Sequence, residues 1–445
     1  MKKLIFILLT LSSFISFSAT YYVATTGSDS NAGTIASPWA TWQKGFETIV
    51  AGDILYIRGG TYATSGFQYS SYWNGVRVSN RDGNVTDTIK VFAYQNEIPI
   101  LDCATMSTTR DGTHFGILMD GCDYWHIKGL TVKNCQDYFN GSVYGISNGW
   151  NISGSTHVRI EKCTVTSCGD GFVTGNTDDY IYFINCDSYK NFDRNDNGGY
   201  ADGFQSNTNP GTHIFYIGCR AWQNSDDGYD QFGADGYITV DRCWAFRNGH
   251  HVTDGNGMGF KFGVADGVKE SGVQRIITNN LAFDNDVHGF DESADVAAVM
   301  DMHIYNNTAF RNASRGFSFY QTSGSGIVTL INNVILSNVS SNNLRASVVQ
   351  TTNSWQNGIT ATSADFISID TTGVSGSRQT NGDMPNLNFL KLASGSNLID
   401  AGTDVDISYN GSAPDLGAFE YSTTTTTTTS VVFGEGINNK NQWKF

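Results

Sequence analysis

The stretch NSDDGYDQFGADG, residues 224–236, sets Asp226, Asp227 and Asp230 within five positions. Carboxylates this close repel one another, so they either surround a cation or stand apart on a solvated turn. Grouped carboxylates are hard oxygen donors, the kind that Ca²⁺ binds in sets of about six to eight at roughly 2.3–2.6 Å. Mg²⁺ keeps more of its water and takes fewer protein ligands. One amine follows, Lys261, within GNGMGFKFGV. A lysine acts as a general base only when neutral; a nearby cation favours that form, whereas nearby carboxylates oppose it. Two plainer roles compete with this chemistry. The carboxylates could hold a calcium that only stiffens the fold, and Lys261 could form an ordinary ion pair with Asp230 or Asp291.

Whether these groups meet depends on the elements that carry them, and those repeat. IEKCTVTSC from Ile160, INCDSYKN from Ile184, IGCRAWQN from Ile217 and VDRCWAFRN from Val240 align with ITNNLAFDN from Ile277, IYNNTAFRN from Ile304 and LINNVILSN from Leu330. One column reads Cys163, Cys186, Cys219, Cys243, Asn280, Asn307, Asn333, and another Cys168, Asn191, Asn224, Asn248, Asn285, Asn312, Asn338. The asparagines of the second column recur after 33, 24, 37, 27 and 26 residues. Each unit is a short alternating strand closed by a polar turn. Units of this length with variable insertions predict an all-β chain, the coils of a parallel β-helix. A single coil cannot bury its inward side chains, and stacking makes the core continuous. Stacked asparagines would bond one another and the turn backbone. The cysteines read as inward thiols filling small apolar positions, with one or two disulfides involving Cys103, Cys122 or Cys135 as the alternative.

A further column supplies the register: Gly171-Phe172, Gly203-Phe204, Gly228-Tyr229, Gly259-Phe260, Gly289-Phe290, Gly316-Phe317. Residues in one column lie about 4.8 Å apart on adjacent coils. This sets Asp202 beside Asp227 and Asp230 beside Lys261. The cluster therefore grows to Asp202, Asp226, Asp227 and Asp230 with Lys261 one coil away. In a straight strand Asp227 and Asp230 would face opposite sides, so convergence needs a bend at Gly228. Tyr229, Phe260 and Phe290 are expected in the core. Arg247, Arg311 and Arg315 fall on neighbouring coils where they could grip the carboxylates of a ligand, and His288 and Asp291 lie nearby as further candidate contacts, as do His250 and His251. A turn or surface role is the simpler reading for each.

The 445 residues carry a formal charge of -15, which falls to -17 without Lys2 and Lys3. Such a surface argues against nucleic acid and against anionic membranes as partners. MKKLIFILLTLSSFISFSA reads as a secretory signal over residues 1–19, too short to be a membrane span. A catalytic β-helix is then expected over residues 20–421, a Thr-rich linker over 422–430, and a stub over 431–445 that is either a surface-attachment remnant or a disordered end. The expected product is secreted and monomeric, with attachment to the cell surface through the tail as a further option.

YYVATTGSDSNAGTIASPWATWQ near the start, ADGF at Ala201–Phe204, NSDDGYD and GMGFKFG together resemble the pectate lyases of polysaccharide lyase family 9 over most of residues 20–421. The opening segment and DLGAFEY at Asp415–Tyr421 are common among secreted β-helices; the aspartate set and the GFK motif are more specific. The resemblance implies a single-stranded right-handed parallel β-helix with a short N-terminal cap. It further implies Ca²⁺ on Asp202, Asp226, Asp227 and Asp230, Lys261 as the base, and an acidic polysaccharide such as polygalacturonate as substrate. Three rivals stand beside it. These are a rhamnogalacturonan lyase with the same machinery, a polygalacturonase-type hydrolase suggested by NTDD at Asn176–Asp179, and a non-catalytic, calcium-stiffened carbohydrate binder or adhesin.

Overall fold

A computed structural model describes residues 18–109, 112–137, 146–249, 255–263, 271–292, 300–320 and 326–422. Residues 1–17 of the expected signal segment and nearly all of the tail fall outside these residues, as do His250 and His251. The chain winds as a parallel β-helix whose coils contribute to three sheets of 12, 10 and 11 strands. Pairing between successive coils is parallel throughout, apart from one hairpin that joins Phe67–Tyr69 to Tyr72–Ser79. No described helix is long and apolar enough to cross a membrane.

The two polar columns are the ladders expected of them. In the second, the Asn224 N–H donates to Asn248 Oδ1 (3.2 Å) and the Asn248 N–H to Asn285 Oδ1 (3.2 Å). Each amide group also donates onward, as Asn248 Nδ2 does to Asn285 Oδ1 (3.0 Å) and the Ala221 carbonyl (3.3 Å). These turns sit inside the molecule, where an unbonded backbone group would be costly. All eight cysteines are free and buried, so the thiol reading holds over the disulfide one. They do more than fill space. The Cys186 N–H reaches Cys219 Sγ (3.4 Å), the Cys219 N–H reaches Cys243 Sγ (3.3 Å), and the Cys243 N–H then passes to Asn280 Oδ1 (2.7 Å). Thiols and amides serve one continuous ladder.

The glycine–aromatic column forms the inner stack. Phe172, Phe204, Tyr229, Phe260, Phe290 and Phe317 follow one another with ring centroids 4.7–5.2 Å apart, each at most 1% exposed. Each buried ring contributes about 1.5–3 kcal/mol from removed apolar surface. The preceding glycines let adjacent turns touch: a Cβ on Gly228 would lie 2.5 Å from the Gly259 carbonyl oxygen. A helix at Trp42–Thr48 closes the N-terminal end and buries Trp42 and Phe46, the latter stacked on Trp125. Beyond the last coil the chain returns along the outside of the ten-stranded sheet. Phe366, Phe389, Leu390, Leu398 and Leu416 there pack on Trp222, Trp244, Phe246, Phe283 and Phe310.

Candidate active site

Four short rungs of the eleven-stranded sheet carry the cluster: Phe204–Ser206, Tyr229–Asp230, Phe260–Lys261 and Phe290–Asp291. Their register pairs Gln205 with Asp230, Asp230 with Lys261, and Lys261 with Asp291, as the repeat predicts. The chain bends at Gly228, ahead of its rung, and this swings Asp227 to the side of Asp230.

Before each rung the aspartates form a ladder of their own. Asp170 Oδ1 accepts the N–H of Asp202 (3.1 Å), Asp202 Oδ1 that of Asp227 (2.9 Å), and Asp227 Oδ1 that of Met258 (2.7 Å). One oxygen of each carboxylate thus caps the next coil. The other oxygen is left over. Asp170 Oδ2 and Asp227 Oδ2 are buried and accept no hydrogen bond, although Asp227 Oδ2 stands 3.1 Å from Lys261 Nζ as an ion pair. Asp230 accepts the N–H of Phe232 on Oδ1 (2.6 Å) and Lys261 Nζ on Oδ2 (3.1 Å). One oxygen each from Asp202, Asp227 and Asp230 lies within 4.8 Å of the others. Asp226 joins at the edge, with Oδ1 accepting the N–H of Asn256.

Nothing here is a solvated turn. Asp202, Asp226, Asp227, Asp230 and Lys261 are all at least nine-tenths buried. Burial, joined by Asp227, drives the Asp226 carboxyl up to about 9. Burial also lifts Asp227 to about 6 despite the opposing Lys261 ammonium, and holds Asp202 well above the carboxylate range together with Asp230 and Asp226. Burial alone would favour a neutral Lys261, but Asp227 and Asp230 outweigh it and raise the amine above its ordinary value. Four acids share one ammonium, and the excess is negative. A hard dication fits this set: the carboxylates are buried, and the oxygens of Asp202, Asp227 and Asp230 lie within 4.8 Å of one another, within twice a Ca–O distance of about 2.3–2.6 Å.

The other expected residues divide. Asp291 sits beside Lys261 in register, and His288 approaches it with Nε2 3.7 Å from Asp291 Oδ2. His288 Nδ1 accepts the Arg315 N–H (3.3 Å), and burial, aided by Arg315, pushes the imidazole down to about 4, so it is neutral. Arg247 and Arg311 are not brought to the cluster in any described contact. Arg311 forks onto Asp284 (2.8 and 2.9 Å) over Phe310, while Arg247 donates to Thr371 (3.1 Å) and pairs loosely with Asp284 (3.9 Å). Both occupy left-handed turn positions (φ 56° and 51°) that direct them to the face covered by the C-terminal segment. The NTDD carboxylates cap turns: Asp178 accepts the N–H of Ser155 and of Gly175, and Asp179 holds His213. Asp170, which heads this ladder, was not among the residues expected at the site. Its position just before a glycine–aromatic pair was the available signal. Phe232, with its ring 5.5 Å from Lys261 Nζ, carried no such repeat.

With this geometry in place, comparison with known proteins is informative. The family model described as Pel9A-like, right handed beta helix region, matches residues 21–353. Pectate lyase L of Dickeya dadantii (strain 3937) is 34% identical over 418 residues, covering 92% of each chain. The solved structure of pectate lyase Pel9A superposes with a TM-score of 0.74 at 30% identity, over 92% of this chain and 98% of that one. A rhamnogalacturonan lyase gives the same TM-score of 0.74 at 27% identity, over 85% and 97%. The chain belongs to the Pel9A-like right-handed β-helix family and is a polysaccharide lyase of family 9.

Proposed function

We propose that this protein is a secreted, calcium-dependent pectate lyase that cleaves polygalacturonate by β-elimination. The observation that carries the reading is Lys261 Nζ, 3.1 Å from both Asp227 and Asp230, inside a buried pocket with more acids than bases. The names of the relatives support the substrate class, and the charge count supports the metal. Asp202, Asp226, Asp227 and Asp230 would hold the ion. Bound calcium would offset their charge, release Lys261 from its role as sole counterion, and draw electron density from a uronate carboxylate so that the adjacent C5 proton is acidified.

The chain's own groups then act in sequence. Asp227 and Asp230 fix the Nζ position, and apolar neighbours shut out bulk water, which favours the neutral amine. Neutral Lys261 takes the C5 proton; the C5–H electron pair becomes the C4=C5 double bond; the C4–O4 bond breaks and its oxygen leaves with a proton from water. The products are a new reducing end and a 4,5-unsaturated oligogalacturonide. A chain of formal charge -15 would otherwise repel an acidic polymer, and the cation also answers that objection. Residues 1–19 support an extracellular site of action, and the Thr-rich segment beyond residue 421 would serve for attachment to the cell surface.

The test is incubation with polygalacturonate, with and without a chelator. Ultraviolet-absorbing product formed only in the calcium sample supports the reading, and reducing ends without absorbance would replace it with hydrolysis. Rhamnogalacturonan is the second substrate to try, because the rhamnogalacturonan lyase superposes as well as Pel9A does.

A further inference from the structure

Two exposed aromatic residues stand on the segments that carry the carboxylate cluster. Tyr200 stands two residues before Asp202 and is 49% exposed, and Phe232 stands two residues after Asp230 and is 47% exposed. A single exposed apolar side chain needs no explanation. These two differ because the cluster itself ties them down. The Phe232 N–H donates to Asp230 Oδ1 (2.6 Å), and the ring flanks Lys261 Nζ at 5.5 Å. The turn leading to Tyr200 is folded around Asp193, whose Oδ1 accepts the N–H groups of Asn195 (2.9 Å) and Asp196 (3.3 Å). It is then pinned to the cluster's backbone. Ser225 Oγ donates to the Gly198 carbonyl (3.0 Å) and the Asp226 N–H to the Ala201 carbonyl (3.1 Å).

Exposed tyrosines at the N-terminal end have neighbours of their own: Tyr69 lies under the Arg77 guanidinium and Tyr72 against Phe115. Tyr200 precedes the rung Phe204–Ser206, and Phe232 follows the rung Tyr229–Asp230, so the two residues stand at opposite ends of the rungs that carry the carboxylates. A pyranose ring has an apolar C–H face and a polar edge. An aromatic face can bury the former while the latter stays free for the charged groups, at low cost in side-chain entropy.

We propose that Tyr200 and Phe232 are stacking platforms for the sugar rings on the two sides of the cleaved bond. This rests on the acidic-polysaccharide reading given above. Tyr200→Ala and Phe232→Ala should each raise KM for polygalacturonate about three- to tenfold, with a smaller change in kcat, and the double variant should combine both losses. Tyr200→Phe and Phe232→Trp should keep KM near the wild-type value. The calcium concentration for half activity and the thermal midpoint should not move, since a packing role would shift them. An unchanged KM in the double variant, or a KM rise that tracks either of those quantities, overturns the proposal. Gel retardation of the wild type and the double variant by polygalacturonate in calcium separates this from failure of the lyase reading. An inactive wild type that is retarded, with retardation lost in the double variant, refutes the lyase and keeps the platforms. Equal retardation of the two proteins, or none of either, refutes the platforms.

Discussion

Two buried ionic assemblies in this molecule are built to opposite plans. On the ten-stranded sheet, Asp187 is gripped by two guanidinium groups. Arg220 forks onto it (2.8 and 2.7 Å), and Arg378 donates from Nε and Nη2 to its Oδ1 (3.0 and 2.7 Å). The remaining donors are taken by carbonyls of Val374, Gly376, Gly382 and Cys186. Burial acts to raise the Asp187 carboxyl, but Arg378 and Arg220 win and hold it below its ordinary range. At the other assembly four carboxylates face one ammonium, and Asp227 Oδ2 accepts no hydrogen bond, its neighbour being the Lys261 ammonium at 3.1 Å. The first is closed and clasps the returning C-terminal segment. The second holds more acids than bases, a balance that would accept a further cation. Excess buried charge of one sign, more than burial or charge alone, distinguishes the site that is built to bind.

The comparison is tested most severely at its two central residues. Lys261→Ala should cut turnover by about 10²–10⁴-fold, the usual contribution of a positioned proton acceptor, while calcium binding by calorimetry persists. If elimination continues at the wild-type rate, Lys261 is merely a counterion. Asp187→Asn leaves the buried Arg220 and the partly buried Arg378 without their anion and should cost about 3–5 kcal/mol in denaturant unfolding. Asp227→Asn, measured in chelator, should do the reverse. Its amide oxygen can still cap Met258, while a repelling charge disappears, so the metal-free midpoint should hold or rise. The same variant should weaken calcium binding by about one to two orders of magnitude. A metal-free Asp227→Asn protein that melts as early as Asp187→Asn would erase the distinction.

Acidity sharpens it further, because the signs differ. Asp187 is depressed, so its contribution is present above the unfolded carboxylate range and fades as pH falls below about 4. Glu161 adds to this loss: burial opposes its ionisation, but His126 and Lys128 hold it low. Asp226 and Asp227 are raised, to about 9 and about 6, so without metal the folded form holds protons that the unfolded chain releases. Stability in chelator should therefore decline as pH climbs from about 4 through those values, and saturating calcium should remove that decline. Thermal midpoints across pH, with and without chelator, would show two separate slopes. A single shared slope would contradict the opposed plans.

The same contrast explains how far the sequence could be read. Ladder and stack positions repeat on every coil, so Asn248 or Phe260 is placed by arithmetic and the register of Asp230 on Lys261 follows. Asp202 and Asp227 belong to a repeating column too, which is why convergence was legible from the bend at Gly228. Arg247 and Arg311 also repeat, yet periodicity reports only that they share a face. Their partner Asp284 holds the same column position on the coil between them, but the covering segment at Thr371 lies in a stretch without coil periodicity. The Asp187 clasp was hidden for the same reason, since Arg378 is 191 residues away along the chain. Phe232 and Tyr200 sit in insertions between rungs, where no column points.

The smallest effect concerns the place where thiols take over from amides. Cys219 Sγ accepts the Cys186 N–H at 3.4 Å and approaches the Phe183 carbonyl at 3.3 Å, in a position where later coils carry asparagine. Sulfur is a weak acceptor, so the hydrogen bond lost in Cys219→Ala is worth little, while the removed atom leaves a small void. The expected cost is about 1 kcal/mol, near the low end for a buried deletion. Asn248→Ala removes an amide that accepts from Asn224 on one neighbouring coil and donates to Asn285 on the other, and should cost more, about 1–3 kcal/mol. Because every thiol is free, a reductant should leave the unfolding midpoint of the wild type unchanged. If Cys219→Ala destabilises as much as Asn248→Ala, the thiols carry the ladder as fully as the amides do, and the change from cysteine to asparagine along the column has no energetic meaning.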